Sequence, residues 1–536
     1  MSTITIVFTL LPVFVVYGTR TLIRRVFSVL DNVPGPSPRS LLTGNLAQFH
    51  DPDGWDFHKE LEQNYSQVVK IQGVLGDRQL YVFDPAALYS ILVKDQDLYE
   101  EPPTIISLNR VLFGKGITSV GGDEHRKYRK IMMPAFSTAN LRGMVPLFFD
   151  VAERARDGLI MPHLHDGPQT LDLNSVMCRV SLELIGRTGI GYSLDPMVAG
   201  KEQTNRYAES LRSLFQTAFQ LAHLFPLLPL VLKIPFPKFR RFLISLTPSP
   251  TLWRLRDMVD FVYATTTQLV KEHKATMANG TLEDGAKDLM SLLVRSNMSA
   301  EAEMHLTDAE LVSSASTILF AATDTVSTSL NRLFQLLAMH PDVQDKLRAE
   351  FLAAPTELDH DALAALPYLD AVVREVLRLY PPASPVMFRE ALKDTVLPLS
   401  TSIVGADGTP INSITVPKGT AIYIAIAAAN HNKRIWGADA LEFRPERWTN
   451  GKADSATTKM CGVYGNTMTF LGGGRSCIGF KFAELEMKVL ACVLLRTFKF
   501  SNPDPRIKWR MLGTVPSPHV DGSQALPVCV ERFNDH

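Results

Sequence analysis

At 536 residues the chain exceeds the usual size of one hydrophobic core, so it is expected to form several domains or one large domain with appendages. Its 55 basic and 55 acidic side chains cancel, and 46% of residues are hydrophobic. This balance provides no uniform field to gather a polyanion and argues against nucleic acid as a partner. Five scattered cysteines without a C-x-x-C pair fit neither a disulfide framework nor a zinc site, and suit a body kept in a reducing compartment.

Ile4 to Tyr17 form an uncharged apolar run followed by Arg20, Arg24 and Arg25. Residues 1–25 are therefore expected to be a single transmembrane anchor, with the arginines holding the remainder on the cytosolic side. A cleaved signal peptide is the alternative, but no charge precedes the run and no convincing cleavage site follows it. Pro34-Gly35-Pro36-Ser37-Pro38 is too proline-rich for a helix, so residues 26–40 are expected to form a stiff hinge and residues 41–536 the globular body.

Next comes His125-Arg126-Lys127-Tyr128-Arg129-Lys130, in which His125 and Arg129 share one helical face; a solvated basic face is the alternative. From Leu224 to Lys238 the chain is apolar but broken by prolines, with Arg240 and Arg241 after it. It is either a buried loop or a segment that dips into a membrane surface. Thr307-Asp308-Ala309-Glu310 has the spacing of a capping box, and the pattern behind it predicts a helix of more than about 30 residues before Pro341. Along that helix, Asp324 stands beside Thr325, an unfavourable pairing in mid-helix that suggests a purpose.

Glu375 and Arg378 lie three apart on a predicted helix; in isolation this is a common solvated pair. Turn signals at Ala406-Asp407-Gly408-Thr409 and Pro417-Lys418-Gly419 predict hairpins, so the fold is expected to be mainly α with a smaller β region. The most informative stretch is Phe470-Leu471-Gly472-Gly473-Gly474-Arg475-Ser476-Cys477-Ile478-Gly479, ahead of a helical segment. Glycines let the backbone turn tightly beside a flat partner, and a cysteine just before a helix N-terminus gains N–H groups and dipole that favour thiolate. A phosphate loop would need a Lys-Ser/Thr ending, which is missing.

This stretch resembles the F-x-x-G-x-R-x-C-x-G cysteine loop of the cytochrome P-450 family, with Leu471 in place of the usual small or polar residue. The E-x-x-R pair, Phe443-Arg444-Pro445-Glu446-Arg447-Trp448 and the Ala322-Thr323-Asp324-Thr325 segment follow the same family in the correct order, although Ala322 replaces a glycine. The resemblance implies a cytochrome P-450 fold behind a membrane anchor, haem b as cofactor and Cys477 as axial ligand of the iron. It further implies that His125, Arg129, Arg389, Phe470 and Arg475 bind the haem. Thr325 and Asp324 would handle dioxygen and protons, while Glu375, Arg378 and Arg447 would form a structural charge triad.

On this reading the chain is a monooxygenase of the endoplasmic reticulum membrane, similar to fungal members. It would draw electrons from an NADPH-dependent flavoprotein reductase, with cytochrome b5 as a further donor. The reductase would dock near Arg126, Lys127, Lys130, Lys481 and Lys488. Phe113, Phe320, Ala321, Ala383, Val386 and Leu512 are expected to line the site of a lipophilic substrate, such as a terpenoid, sterol or other secondary metabolite. Two other classes stay open: an isomerase or dehydratase acting on a peroxide without a reductase, and a non-catalytic haem- or lipid-binding protein.

Overall fold

The computed structural model describes residues 28–200, 206–278, 288–299, 305–383, 385–449, 459–513 and 515–533. The expected anchor at 1–25 lies outside them. Among the described residues no single helix is long and apolar enough to cross a membrane; one pair, Glu209–Phe219 and Ala222–Val231, passes the same criterion together but is bent by 78°. Packing begins well before residue 41. Leu30 and Val33 are buried, and the Lys70 N–H donates to the Pro34 carbonyl at 2.9 Å. Two apolar anchors and a backbone bond therefore fix the proline-rich stretch onto the body, where a stiff hinge was expected.

Strands β1 (Val68–Gln72), β2 (Arg78–Val82), β3 (Tyr99–Glu100), β5 (Val386–Ala391) and β8 (Ala421–Ala425) form a sheet in the order β1-β2-β8-β5-β3. A second sheet joins β4 (Gln169–Asp172), β13 (Pro527–Arg532) and β9 (Phe498–Ser501), with β13 in the centre. β6 (Thr395–Val404) and β7 (Pro410–Val416) make the expected hairpin around Gly408. The second expected hairpin does not form: the turn at Pro417–Gly419 carries the chain from β7 into a different sheet, at β8. There β8 is bracketed by β2 and β5, whose apolar residues offer a more buried partner than β7.

The helices that frame the interior are α1 (Trp55–Asn64), α2 (Pro103–Phe113), α3 (Gly122–Met132), α4 (Thr138–Ala155), α5 (Leu173–Ile190), α6 (Arg206–Phe219), α7 (Pro237–Ser245), α8 (Pro250–Ala278), α9 (Asp308–Met339), α10 (Pro367–Leu379) and α11 (Phe480–Thr497). α9 starts at the predicted cap: the Glu310 N–H donates to Thr307 Oγ1, and the Thr307 N–H donates back to Glu310 Oε2 at 2.8 Å. Its many hydroxyl residues are tolerated because they bond back to carbonyls one turn earlier, as Thr317 does to Ser313 and Thr323 to Leu319. α9 packs most extensively on α5, where the Asn331 amide donates to Asn174 Oδ1 at 2.9 Å.

A large helical core and a smaller sheet-side core meet around α9, α10 and the 470–479 loop. Glu486 on α11 is wholly buried in the first; Ser181 donates to its Oε1 at 2.8 Å and Oε2 has no partner. Burial pushes its carboxyl up to about 8, with the Ser181 bond opposing. The folded protein thus keeps a proton that the unfolded chain releases above 4.5. This contribution to stability is complete below pH 4.5 and is lost as pH rises through 8. Glu486→Gln should match the parent's urea midpoint near pH 5 and exceed the parent's stability at pH 8.5 by roughly 2–4 kcal/mol. Parallel pH dependence of the two urea curves would contradict this.

Candidate active site

A cavity lies between α3, α9, Pro382, Ala383, Met387 and the 469–479 loop. The loop is compressed against its surroundings. A side chain at Gly473, where φ is +68°, would strike the Leu92 carbonyl, and one at Gly472 would strike that of Cys461. The Cys477 N–H donates to the Phe470 carbonyl at 2.9 Å and closes the turn. Leu471 takes up a left-handed conformation, φ 56°, that few non-glycine residues accept. Its side chain is buried in the sheet-side core, and this packing offsets the strain.

Cys477 opens onto the cavity just before α11. Burial pushes its thiol up, while the Gly479 N–H and the Arg129 charge pull it down. The other cysteines have no comparable setting: Cys178 and Cys492 are core residues, and Cys461 and Cys529 are partly buried away from the cavity. Arg129 donates to the Ser476 carbonyl at 2.6 Å and to Ser476 Oγ at 3.0 Å, so it braces the loop from α3.

His125, Arg129 and Arg475 all border the cavity, and Arg389 from β5 approaches from behind. His125 is held neutral, its pKa lowered to about 3 mainly by burial and further by Arg475, Arg129 and Arg389. Arg475 donates to Glu100 at 2.6 Å and to the Val120 carbonyl at 2.8 Å. Arg389 is buried, and its Nη2 has no partner. An orphaned guanidinium N–H among three arginines is a place for a carboxylate group. A planar macrocycle with carboxylate arms and a metal centre open to a thiolate fits this residue set. Glu100 and Glu101, which partly balance the arginines, carried no motif in the sequence and were not foreseen.

On α9, Ala321, Ala322, Thr325 and Val326 face the cavity. Thr325 Oγ1 donates to the Ala321 carbonyl at 2.7 Å, so the hydroxyl is held at the wall. Asp324 does not line the cavity. It lies toward α5 and α6, near Cys178 and Arg212. Burial raises its carboxyl to about 6, and the Arg212 charge opposes the rise. Arg212 sits on α6 with a buried, unpartnered Nε, and sequence reasoning missed it because a lone arginine on an amphipathic helix carries no signal.

Of the expected substrate-lining residues, Ala321 and Ala383 border the cavity, while Phe113, Phe320, Val386 and Leu512 do not. Phe113 and Phe320 stack instead with Phe215 from α6, with ring centres 5.1, 4.7 and 6.0 Å apart, and so form an aromatic block. Large rings gain more by burying one another than by lining a cavity. Val386 packs in the sheet-side core, and Leu512 sits in the turn between β10 (Lys508–Met511) and β11 (Pro516–Val520). Isoleucines and Met387, unremarkable in the sequence, line the cavity in their place.

Glu375, Arg378 and Arg447 come together away from solvent. Arg378 donates to both Glu375 oxygens at 2.8 and 2.9 Å, and the Arg447 Nε lies 3.3 Å from Oε1. Trp448 Nε1 adds a bond to Oε2 at 2.9 Å. Arg378 also donates to the Asn430 and Ala440 carbonyls, and so ties α10 to the chain ahead of the cysteine loop. Among the residues expected to meet a partner, Arg126, Lys130 and Lys481 are exposed. Lys488 is not: it is 5% exposed and paired with Asp370 and Glu484, because its position on α11 faces α10.

A family model described as Cytochrome P450 matches residues 34–519. The chain is 44% identical over 528 residues to cytochrome P450 monooxygenase 91 of Postia placenta, covering 96% of this chain and 97% of that one. It is 38% identical over 518 residues to a ganoderic acid synthetase of Ganoderma lucidum, covering 94% and 93%. A cytochrome P450 monooxygenase of Hericium erinaceus is 37% identical over 526 residues, covering 95% and 94%.

Proposed function

The chain belongs to the cytochrome P450 monooxygenases, and we propose that it hydroxylates a lipophilic secondary metabolite, of terpenoid or sterol type, at the endoplasmic reticulum membrane. Haem b, when bound, supplies the activation of dioxygen, with electrons delivered by a reductase. The observation that carries the reading is the apolar cavity lined together by Cys477, Arg129, Arg475 and Thr325. The relative named a ganoderic acid synthetase supports the substrate class.

In this reading Cys477 and Phe470 would hold the haem, Cys477 through its thiolate sulfur. Arg129, Arg389, Arg475 and neutral His125 hold its carboxylate arms. The Thr325 hydroxyl, whose proton goes to the Ala321 carbonyl, would accept from a water at the cavity wall, and the Asp324 carboxyl would pass protons from the α6 side. Ala321, Ala383, Ile318 and Met387 exclude water from the reacting C–H bond. Glu375, Arg378 and Arg447 keep the loop in register.

Metabolite profiling of a host co-expressing the chain and a reductase tests the function. A product heavier by one oxygen, absent without the reductase, is expected. A product isomeric with a supplied organic peroxide, formed with NADPH omitted, would instead favour rearrangement chemistry.

Since Asp324 titrates near 6, kcat should change with pH around that value. Asp324→Asn should remove the step and lower kcat by about 100-fold, the lower range for general acid–base groups. Arg212→Met removes a charge that favours the carboxylate, so the midpoint should move upward. An unmoved midpoint would exclude Asp324 as the titrating group.

Membrane association finds support in α7 and the segment before it. Phe236 is 67% exposed, and Leu230, Phe239, Phe242 and Leu246 are also exposed, with Lys233, Lys238, Arg240 and Arg241 among them. Aromatic and basic residues together suit the headgroup boundary. In the full chain on vesicles, a Phe242→Trp variant should show additional fluorescence that brominated lipid quenches. Additional fluorescence indifferent to the brominated lipid would remove α7 from the membrane.

A further inference from the structure

Toward the C-terminal end of α9 lies a second cavity of about 420 Å³, walled by α1, the Leu379–Pro381 stretch, Ala427, Ala428, His431 and Trp509. The activity described above assigns it no role. It shares walls with the active-site cavity, since Thr328 and Pro381 line one while Ser329 and Pro382 line the other.

Arg332 lines this second cavity. Its guanidinium is sandwiched, with the Cζ atom 4.1 Å from the Tyr380 ring centre and 3.5 Å from that of Trp509. Its one side-chain hydrogen bond is long, 3.4 Å to Gln335 Oε1, an oxygen that also accepts from Trp509 Nε1 at 2.9 Å. Among the described residues no carboxylate pairs with Arg332, although burial lowers its pKa to about 9. The one carboxylate lining the cavity, Glu62, faces His431 Nδ1 at 3.6 Å. A half-buried guanidinium without a counter-charge is costly, and two aromatic faces offset only part of that cost.

We propose that this cavity binds a carboxylate-ended amphiphile. Its carboxylate would meet Arg332, and its chain would run along Leu379, Pro381, Ala428 and Leu441. One planar guanidinium matches one planar monoanion. The remaining walls are dominated by apolar and aromatic residues, which suit a hydrocarbon tail better than a multiply charged phosphate.

The probes are dodecanoate and dodecanol, titrated calorimetrically into the haem-loaded full chain whose iron is already ligated by a bulky imidazole compound. Dodecanoate should bind at one site, at least about tenfold tighter than dodecanol, the scale of a hydrogen bond to a charged group. Arg332→Leu should abolish that preference, and Arg332→Lys should keep part of it. Glu62→Gln, an isosteric change at a side chain 16% exposed, should tighten dodecanoate binding about two- to fivefold by removing a like charge from the cavity wall. Equal binding of the two probes overturns the proposal, as does a carboxylate preference that survives Arg332→Leu. Displacement of dodecanoate by the imidazole compound would assign its binding to the active-site cavity and overturn the proposal equally. If Arg332→Leu fails to fold, an unchanged dodecanoate affinity in Glu62→Gln is decisive against it.

Discussion

Cys477→Ala is expected to lose the red-shifted Soret band of the reduced, carbon-monoxide-bound protein, and turnover with it. The loss should exceed the 10- to 100-fold typical of changes in groups that merely support a metal ligand, because the ligand itself is gone. Nothing nearby can replace it. Ser476 is committed to Arg129, Cys461 abuts Gly472 behind the loop, Cys492 is buried in the helical core, and neither cysteine lines the cavity. The cavity lining is otherwise unchanged by removing one sulfur atom, so haem should still be retained in part through Arg129, Arg389 and Arg475. Cys477→His should likewise bind haem while showing a carbon-monoxide band at the unshifted position. Persistence of the red-shifted band in either variant would assign the thiolate elsewhere.

Glu375→Ala should have an effect of comparable size by a different route. It leaves Arg378, with no exposed surface, and the nearly buried Arg447 without their shared carboxylate, and Trp448 Nε1 without its acceptor. Breaking a buried pair in this way costs about 3–5 kcal/mol, against a total stability of about 5–15 kcal/mol for a typical domain. The expected result is a drop of tenfold or more in folded holoprotein per total chain, measured by the carbon-monoxide band at 25 °C. Glu375→Gln should recover part of the yield, since an amide still accepts from Trp448 or Arg378 but carries no charge. Normal yield of Glu375→Ala would mean that the triad is dispensable.

Where a feature depends on residues close together in the chain, the sequence makes it legible. The Thr307–Glu310 cap sets the start of α9 through bonds between residues three apart, and such bonds can be read from spacing alone. The turn around Cys477 is legible for the same reason, since glycines mark where backbone meets backbone. Asp324 and Thr325 are visible as neighbours, but their division of labour is not. A helix turns by about 100° per residue, which aims Thr325 into the cavity and Asp324 toward α5 and α6, where Arg212 waits from a distant part of the chain.

Substrate-lining residues are the least legible. Phe113 and Phe320 are expected to face a ligand because they are large and apolar, yet Phe215 supplies them with a protein partner. Whether an aromatic ring serves a ligand or another ring depends on tertiary neighbours that periodicity cannot reveal. The proline-rich stretch misleads in the opposite sense. Composition reports its stiffness correctly, but the contacts of Leu30 and Val33 decide that this stiffness is spent on docking.

Strand β13 has a consequence for how the molecule comes into being. It lies between β4 and β9, and the Leu526 N–H donates to Asp172 across 354 positions of the sequence. While a ribosome is still translating the segments before residue 526, β4 and β9 have no common neighbour, and the Asp172 cap of α5 lacks the bond from Leu526. Because pairing at such separation must wait for loop closure, the helical core around α5 and α9 is obliged to persist for a time with an unsealed seam. Chaperones that shield open sheet edges would be needed in that interval, and nascent chains stalled short of residue 527 should be markedly more sensitive to protease than released ones.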